Sequence, residues 1–531
     1  MLEIQHIPKH LFSKKNAPLL TGILRGLERE ALRVSKDGEL STKPHPKGLG
    51  SALTHPQITT DFSEALLEII TPPTHSVDDL FRHLKAIHQY ALHQLDDELL
   101  WTHSMPCKLE GDDHIPVAQY GSSNNGQMKT IYRVGLGHRY GRSMQTVAGV
   151  HYNFSLPNAF WAFLSSEQNS IDDLQLFKDK GYFSLIRNFR RHFWLLIYLF
   201  GASPALCESF VQGKPHNLSL LDDRHTFYSP YATSLRMGDL GYQSSAQESL
   251  YVCYNEKNTY IRTLCRAITQ PHEAYQRIGV KDERGEYQQL NTSLLQIENE
   301  FYSAIRPKRT TRPGETALFA LQNRGIEYIE VRCLDVDPYC MFGINPERAY
   351  FLDTFLLYCA LQESPMSSPE ETAIILRNQK KVVNFGRQPN LSLDWFDGTP
   401  KSLTTWAKEL LEAMRPIAKG LDNANASEEH QKALELQMAK IIDVEKTPSA
   451  QILQTLQQSG KSFNQLALEM SRNSNSGLRE QEIEESVMQR MNHMSEESLA
   501  EQGALEEAST LSFDEFIKTY YQQYATCKSC G

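Results

Sequence analysis

Arg25-Gly-Leu-Glu28-Arg-Glu30-Ala-Leu-Arg-Val34 is the stretch on which the reading turns, together with Thr59-Thr-Asp61-Phe62-Ser-Glu64-Ala-Leu-Leu-Glu68-Ile-Ile-Thr71-Pro72. The first run is rich in Leu and Val and passes into the turn-like Ser35-Lys-Asp-Gly38, which predicts a strand. Side chains two apart on a strand share a face, so Glu28 and Glu30 point the same way; on a helix they would diverge. The second run predicts a short strand from Ala65 to Ile70 with Glu68 in its middle. Asp61 is an odd number of positions from Glu68, so it is placed in the turn before that strand.

An unpaired buried carboxylate is too costly to keep ionised, so acids inside apolar strands need a partner. Four converging carboxylates suit oxygen ligation of a hard divalent cation, magnesium or manganese. The bland alternative is a set of solvated acids, or acids salt-bridged to Arg25, Arg29 and Arg33.

Two further segments alternate. In Met144 to Ser155, Ala148, Val150, Tyr152 and Phe154 are apolar, whereas Gln145, Gly149, His151, Asn153 and Ser155 are mostly polar. That period describes a strand with one face on the core and the other on a polar cavity or on solvent. Ile326 to Asp335 reads as a second strand, with Ile329, Val331 and Cys333 on one face and Tyr328, Glu330 and Arg332 on the other. Glu330 and Arg332 form either a plain ion pair or a metal ligand beside a cation aimed at transferred charge.

Elsewhere, Ser76-Val-Asp-Asp opens a helix, with Leu80, Leu84, Ile87, Ala91, Leu95 and Leu99 as its packing stripe and His88 and His93 on its polar face. Tyr132-Arg133 and Gly135-Leu-Gly137 read as a turn-rich approach to the alternating strand. Residues 160 to 230 read as helical, aromatic scaffold. Ser234 to Gln243 reads as a loop exposing Arg236 and Tyr242, suited to clamping a carboxylate. Tyr302 to Arg309 concentrates positive charge, either as a solvated patch or as a triphosphate contact. Beyond about residue 365 strand signals become rare; Ser427 to Ile442 fits an amphipathic helix, and the polar 471–507 segment is expected to be partly mobile.

The 531-residue chain is 40% hydrophobic, enough for a large core. Its 54 Lys and Arg against 64 Asp and Glu leave a net charge of −10, which gives no global basic field for nucleic acid. Nine scattered cysteines do not resemble a disulfide framework, and Phe193 to Ala202 is too short to span a bilayer. A reduced, cytoplasmic protein without membrane partners is expected. The lone Cys527-Lys-Ser-Cys530 is expected to be incidental. Neither a GxxxxGK nor a GxGxxG phosphate motif is present, so any ATP is held without a P-loop or a dinucleotide fold.

Gly26-Leu-Glu28-Arg-Glu30, Pro44-His-Pro46, Leu49-Gly-Ser-Ala-Leu-Thr-His55-Pro56 and Ile58-Thr-Thr-Asp61-Phe-Ser-Glu64 closely resemble bacterial glutamate–cysteine ligase of the proteobacterial, glutathione-forming type. The resemblance spans nearly the whole chain. It implies an α+β fold related to glutamine synthetase, with a curved, mainly antiparallel sheet forming a funnel, helices packed outside it, a catalytic core over 1–365 and a helical region over 366–531. It also implies ATP-dependent joining of the glutamate γ-carboxylate to the cysteine amine through γ-glutamyl phosphate. Magnesium, with manganese as the alternative, and ATP are implied, a monomer is the expected state, and glutathione is a candidate feedback ligand.

By the same resemblance Glu28, Glu30, Asp61, Glu68 and Glu330 are the metal ligands, and Arg332 stabilises charge on the transferring phosphoryl group. Phe62, Tyr132, Leu136, Gln145, Arg236, Tyr242 and Tyr302 line the cysteine pocket, with Arg236 and Tyr302 on its carboxylate. His151 and Asn153 orient glutamate or nucleotide, and Arg306 and Lys308 contact phosphate. The rivals are a sister ligase using another amine, a metal-dependent phosphohydrolase and a non-catalytic binding protein.

Overall fold

The computed structural model describes residues 8, 10–221, 224–241, 247 and 250–526. Tyr242, Cys527 and Cys530 lie outside the described residues. Ten strands precede the C-terminal helices: β1 (Leu24–Val34), β2 (Ile58–Thr60), β3 (Leu66–Ile70), β4 (Leu99–Leu100), β5 (Gly149–Ser155), β6 (Ala205–Cys207), β7 (Ser219–Leu220), β8 (Thr226–Tyr228), β9 (Ile305–Lys308) and β10 (Tyr328–Asp335). The main sheet runs β2-β3-β1-β5-β10-β9, every pair antiparallel, with β4 added beside the end of β1. β6, β8 and β7 form a separate small sheet within the expected scaffold. This is the α+β architecture that the resemblance implies.

Residues directly opposite on paired strands project from the same face of a sheet. Glu30 faces Glu68, Glu28 faces His151, and Asn153 faces Glu330. One register therefore gathers all of these on a single face. The opposite face carries Leu27, Ile69, Val150, Tyr152, Phe154, Ile329 and Val331, all fully buried. Arg25, Arg29 and Arg33 also lie on that opposite face: Arg25 pairs with Asp353 and Arg33 with Glu98. The bland alternative of strand acids neutralised by those arginines is thus excluded by the period of the strand itself.

The helix Val77–Gln94 packs behind β1 and β3, capped by the Ser76 hydroxyl, which accepts from the Asp79 N–H at 3.0 Å. Its stripe ends before Leu99, because Asp96 takes a left-handed φ of 42° and the chain turns back to pair Leu99 with Val34 in β4. His88 is buried, not on the polar face, and its Nδ1 lies 2.8 Å from the Leu84 carbonyl oxygen; His93 is exposed. The helices Leu174–His192, Trp194–Phe200 and Pro346–Leu361 complete the core, and no helix among the described residues is long and apolar enough to cross a membrane.

Three expectations are corrected. Residues 132–137 are not a turn but the middle of the helix Asn124–Tyr140. Its glycines mark close packing: a Cβ on Gly135 would lie 2.2 Å from Gln296 Oε1, and one on Gly126 2.2 Å from the Tyr120 carbonyl oxygen. The polar 471–507 segment is not loose but forms the end of the helix Phe463–Arg479 and most of Glu485–Ala508. Ser471, Asn475, Ser495 and Ser498 are buried: Asn475 caps both backbone groups of Leu100 and the Ser498 hydroxyl accepts from the Ser51 N–H. Finally, Gln145 sits in the 3-10 turn Ser143–Thr146, before the strand instead of within it.

Candidate active site

The site is the polar face of the main sheet. On β1, Glu28 accepts from Asn153 Nδ2 at 2.8 Å, and its other oxygen lies 3.0 Å from His151 Nδ1. Glu30 accepts the Gly149 N–H at 2.6 Å and lies 3.5 Å from His151 Nε2. Glu330 approaches from β10, 3.9 Å from His151 Nδ1, 3.3 Å from Lys308 Nζ and 3.2 Å from Arg332 Nη1. Glu28, His151 and Glu330 can each offer one ligand atom with all three atoms within 4.8 Å of one another. Among the described residues, these three are placed so that they could hold a metal ion together.

The electrostatics separate the carboxylates. Burial pushes Glu330 upward, but the neighbouring Lys308 and Arg332 cations hold it well below the usual carboxylate range. For Glu28, burial and the Glu330 charge push up, and hydrogen bonding to His151 leaves it lowered. Glu68 is raised well above its ordinary value by burial and then by the charges of Glu28, Asp61 and Glu30. Glu30 is raised chiefly by burial, with Asp61 adding to it. A cluster whose members repel one another in this way is relieved by a bound cation, so the donor set fits a hard metal ion.

Asp61 lies just beyond β2, in the turn where the sequence placed it. Its backbone is held from outside the sheet: the Asp61 carbonyl accepts from Arg133 Nε and, at 3.1 Å, from the Tyr120 hydroxyl. Arg133 stacks 4.5 Å over the Tyr120 ring and Lys129 5.2 Å over it, one helical turn earlier. Lys129 faces Glu68, and burial brings its ammonium down to about 8. Sequence reading missed Tyr120, Lys129 and Arg133; helical spacing of the two cations was the available signal, and it was masked by the glycines around them.

β10 carries a bulge that the alternation did not show. Val331 opposes Tyr152 and Leu334 opposes Val150, so Arg332 and Cys333 together face His151. Leu334 takes the core position opposite Val150, Cys333 is buried as well, and Arg332 is turned toward the carboxylates; bulges commonly re-aim a side chain at a site.

The expected cysteine-pocket residues fall in two neighbouring groups. Tyr132 and Leu136 lie one turn apart on the helix Asn124–Tyr140, with the tip of Phe62 3.7 Å from where a Gly137 Cβ would lie. Gln145 Nε2 donates to the Tyr302 hydroxyl at 2.9 Å. Tyr132 joins the groups, since its buried hydroxyl is raised by burial and by the charges of Glu300 and Tyr302. Arg236 is not exposed, as the loop reading had it, but 1% accessible. Its guanidinium lies against Gly149, where a Cβ would sit 2.0 Å from Nη2, and 3.8 Å from Asp335. Arg306 gives Nη2 to the carbonyls of Asn299 and Phe301, whereas Lys308 reaches Glu330.

A cavity of about 550 Å³ lies behind Tyr302, lined by Arg190, Tyr254, Phe301 and Ile375 among others. Of the predicted site residues it includes Tyr302 alone, so the chemistry is assigned to the sheet face, where the charges converge.

The glutamate-cysteine ligase family model matches residues 9–382. A glutamate–cysteine ligase of Saccharophagus degradans is 61% identical over 527 residues, covering 99% of each chain. One from Pseudomonas aeruginosa is 49% identical over 505 residues, covering 95% of each. The crystal structure of glutamate–cysteine ligase from Francisella tularensis in complex with AMP superposes with a TM-score of 0.89 at 37% identity, over 95% of this chain and 98% of that one. A bifunctional glutathione synthetase from Pasteurella multocida, 24% identical with a TM-score of 0.65, shares the fold. With its motifs, its carboxylate-lined sheet and these full-length relatives, the chain belongs to the glutamate–cysteine ligase family.

Proposed function

We propose that the polar sheet face carries out the family's reaction with the residues described above. The enzyme joins the γ-carboxylate of L-glutamate to the amine of L-cysteine, converting ATP to ADP and phosphate through γ-glutamyl phosphate, in the first step of glutathione biosynthesis. The observation that supports this placement is the register that sets Glu28, Glu30, Glu68, His151 and Glu330 on one face, beside Lys308 and Arg332. The AMP bound to the relative supports nucleotide use.

Magnesium, with manganese as the alternative, fits Glu28, Glu30, Asp61, Glu68 and Glu330, because every one of these donors is a hard carboxylate oxygen. When bound, such a cation neutralises phosphate oxygens that would otherwise repel the attacking carboxylate. The remaining work falls to the chain. His151 and Asn153 fix Glu28 by hydrogen bonds. Arg332, aimed by the bulge, places its guanidinium where charge develops on the transferring phosphoryl group. Lys308 contacts phosphate, with Arg306 behind it. Phe62, Tyr132, Leu136, Gln145, Arg236, Tyr242 and Tyr302 receive cysteine and exclude water from its amine. 2-Aminobutyrate carries a methyl group where cysteine has its thiol, a near-isosteric change that a small pocket discriminates only weakly, so it is accepted as well. Glutathione contains the product's γ-glutamylcysteine unit and fits the same site as a feedback ligand. A catalytic core over 1–365 followed by a helical region, working in the cytoplasm, completes the reading.

The test is ADP release in magnesium with glutamate and cysteine supplied together and singly. Release requiring both, with γ-glutamylcysteine identified by mass, is the expected result. Release with ATP alone would instead make the protein a phosphohydrolase. A second expectation concerns the ligand set: Glu28→Gln removes the negative charge and one of the two ligand oxygens, and raises the magnesium concentration needed for half-maximal activity. An unchanged magnesium titration would remove Glu28 from the set.

A further inference from the structure

The family model ends at residue 382, yet the last helix, Phe513–Thr526, returns to the catalytic half of the chain. It packs on the helix Asn124–Tyr140, which carries Lys129, Tyr132, Arg133 and Leu136. The contacts are specific. The Tyr521 hydroxyl donates to the Gln296 carbonyl oxygen at 2.8 Å and accepts from Asn291 Nδ2 at 2.8 Å. Gln296 is fully buried, and its side-chain Nε2 donates to the Tyr132 carbonyl oxygen at 3.1 Å. Its Oε1 accepts the Leu290 N–H at 2.9 Å and passes so close to Gly135 that only glycine fits there.

The helix Asn124–Tyr140 is held at both of its ends as well. At the N-terminal end, the Ser122 N–H donates to Glu506 Oε1 at 2.9 Å, and Asn124 bonds Ser509 and the Leu511 carbonyl oxygen. At the C-terminal end, Arg139 and Tyr140 both bond Glu300 Oε1, at 2.9 and 2.7 Å. Glu300 Oε2 accepts the Gln296 N–H at 2.6 Å, and the Glu300 carbonyl accepts from Gln247, whose Oε1 receives the Tyr302 N–H at 3.1 Å. Tyr524 bonds Glu298 in the same loop. The two walls of the pocket, Tyr132 with Leu136 and Tyr302, are therefore tied to one buried loop, and the C-terminal helix is bolted to that loop.

We infer that the helix Phe513–Thr526 is a positioning element for the acceptor amino acid, with Tyr521 acting through Gln296 on the wall formed by Tyr132. This rests on the reading of Tyr132, Leu136 and Tyr302 as the cysteine pocket. The Tyr521 and Gln296 contacts meet the helix Asn124–Tyr140 at Tyr132 and do not themselves reach the carboxylate cluster, which that helix meets separately through Arg133 on the Asp61 carbonyl and Lys129 facing Glu68. The effect should accordingly appear in the KM for cysteine and not in those for ATP or glutamate.

The experiment is steady-state kinetics of the full-length enzyme carrying Tyr521→Phe, which preserves volume and removes only the hydroxyl. Losing a hydrogen bond of ordinary strength predicts a cysteine KM raised about five-fold, with kcat and the other two KM values changed by less than about two-fold. The KM for 2-aminobutyrate rises in parallel. Asn291→Ala, which removes the partner on the other side of the same hydroxyl, moves the same constant in the same direction. An unchanged cysteine KM, or an equal rise in all three, overturns the inference. Leu136→Ala separates the two readings. If it raises the cysteine KM while Tyr521→Phe does not, the pocket stands and the positioning role fails. If Leu136→Ala leaves that KM unchanged, the pocket assignment fails and the inference with it.

Discussion

Arg332→Ala is expected to lower kcat on the order of 10³-fold while the protein stays folded and still binds ATP, the loss typical of removing an arginine from a phosphoryl-transfer site. The guanidinium is placed by the β10 bulge, 3.2 Å from Glu330, and it helps to hold that carboxylate ionised. Its removal takes away a cation aimed at developing charge and lets Glu330 drift upward. Arg332→Lys restores the charge but not the planar fork, so recovery is partial. The measurement is kcat with saturating substrates, alongside ATP binding by calorimetry. Turnover within about ten-fold of the parent would assign Arg332 to the ion pair alone.

The second large effect is on stability. Asp353, from the helix Pro346–Leu361, is fully buried behind the sheet and accepts from Arg25 Nε at 2.6 Å and from the Tyr152 hydroxyl at 2.8 Å. His430 Nε2 lies 3.8 Å away, and its Nδ1 lies 2.8 Å from Asp422. Asp353→Ala leaves the Arg25 guanidinium buried without its carboxylate, which costs about 3–5 kcal/mol. The double variant Arg25→Met/Asp353→Leu recovers most of that loss, because it removes both desolvated charges together. Denaturant unfolding of the two variants and the parent checks this; Asp353→Ala within about 1 kcal/mol of the parent refutes it.

The same network sets a pH window. Burial pushes Asp353 upward, but the Arg25 charge holds it below its ordinary value, so its contribution is present above about 3.9 and is lost as pH falls through the lower folded value. Burial opposes protonation of His430, but Asp353 and Asp422 raise it. Its contribution is complete below about 6.5 and is lost as pH rises through the higher folded value. Tyr350, edge-on at 5.0 Å, also faces it. Stabilisation from this network is therefore greatest between those limits, and Asp353→Ala should flatten the dependence on both sides.

Much of the site could be read because strand geometry is local. The period of two placed Glu28 with Glu30, and His151 with Asn153, and excluded Asp61 from the straight strand that carries Glu68. What pattern reading lost followed from contacts distant in sequence. Gly135 and Gly137 suggested a turn, but Gly135 lets the Gln296 side chain approach a helix. The 471–507 segment suggested mobility, but its serines and asparagines meet backbone groups of residues 51, 100 and 102. Arg236 appeared exposed because nothing nearby in the chain announces that Gly149 leaves room for its guanidinium.

The sequence alone determined the family, the reaction, the strand-borne carboxylates and the face each would occupy, since these depend on motif and on a backbone repeat that every residue obeys. Tertiary structure decided the rest: which strands lie side by side, the bulge that turns Arg332 inward, the burial of Arg236 and the packing of the helix Phe513–Thr526 on the helix Asn124–Tyr140. Each of those depends on which surfaces exclude water against one another, and partners separated by hundreds of residues leave no periodic trace in the chain.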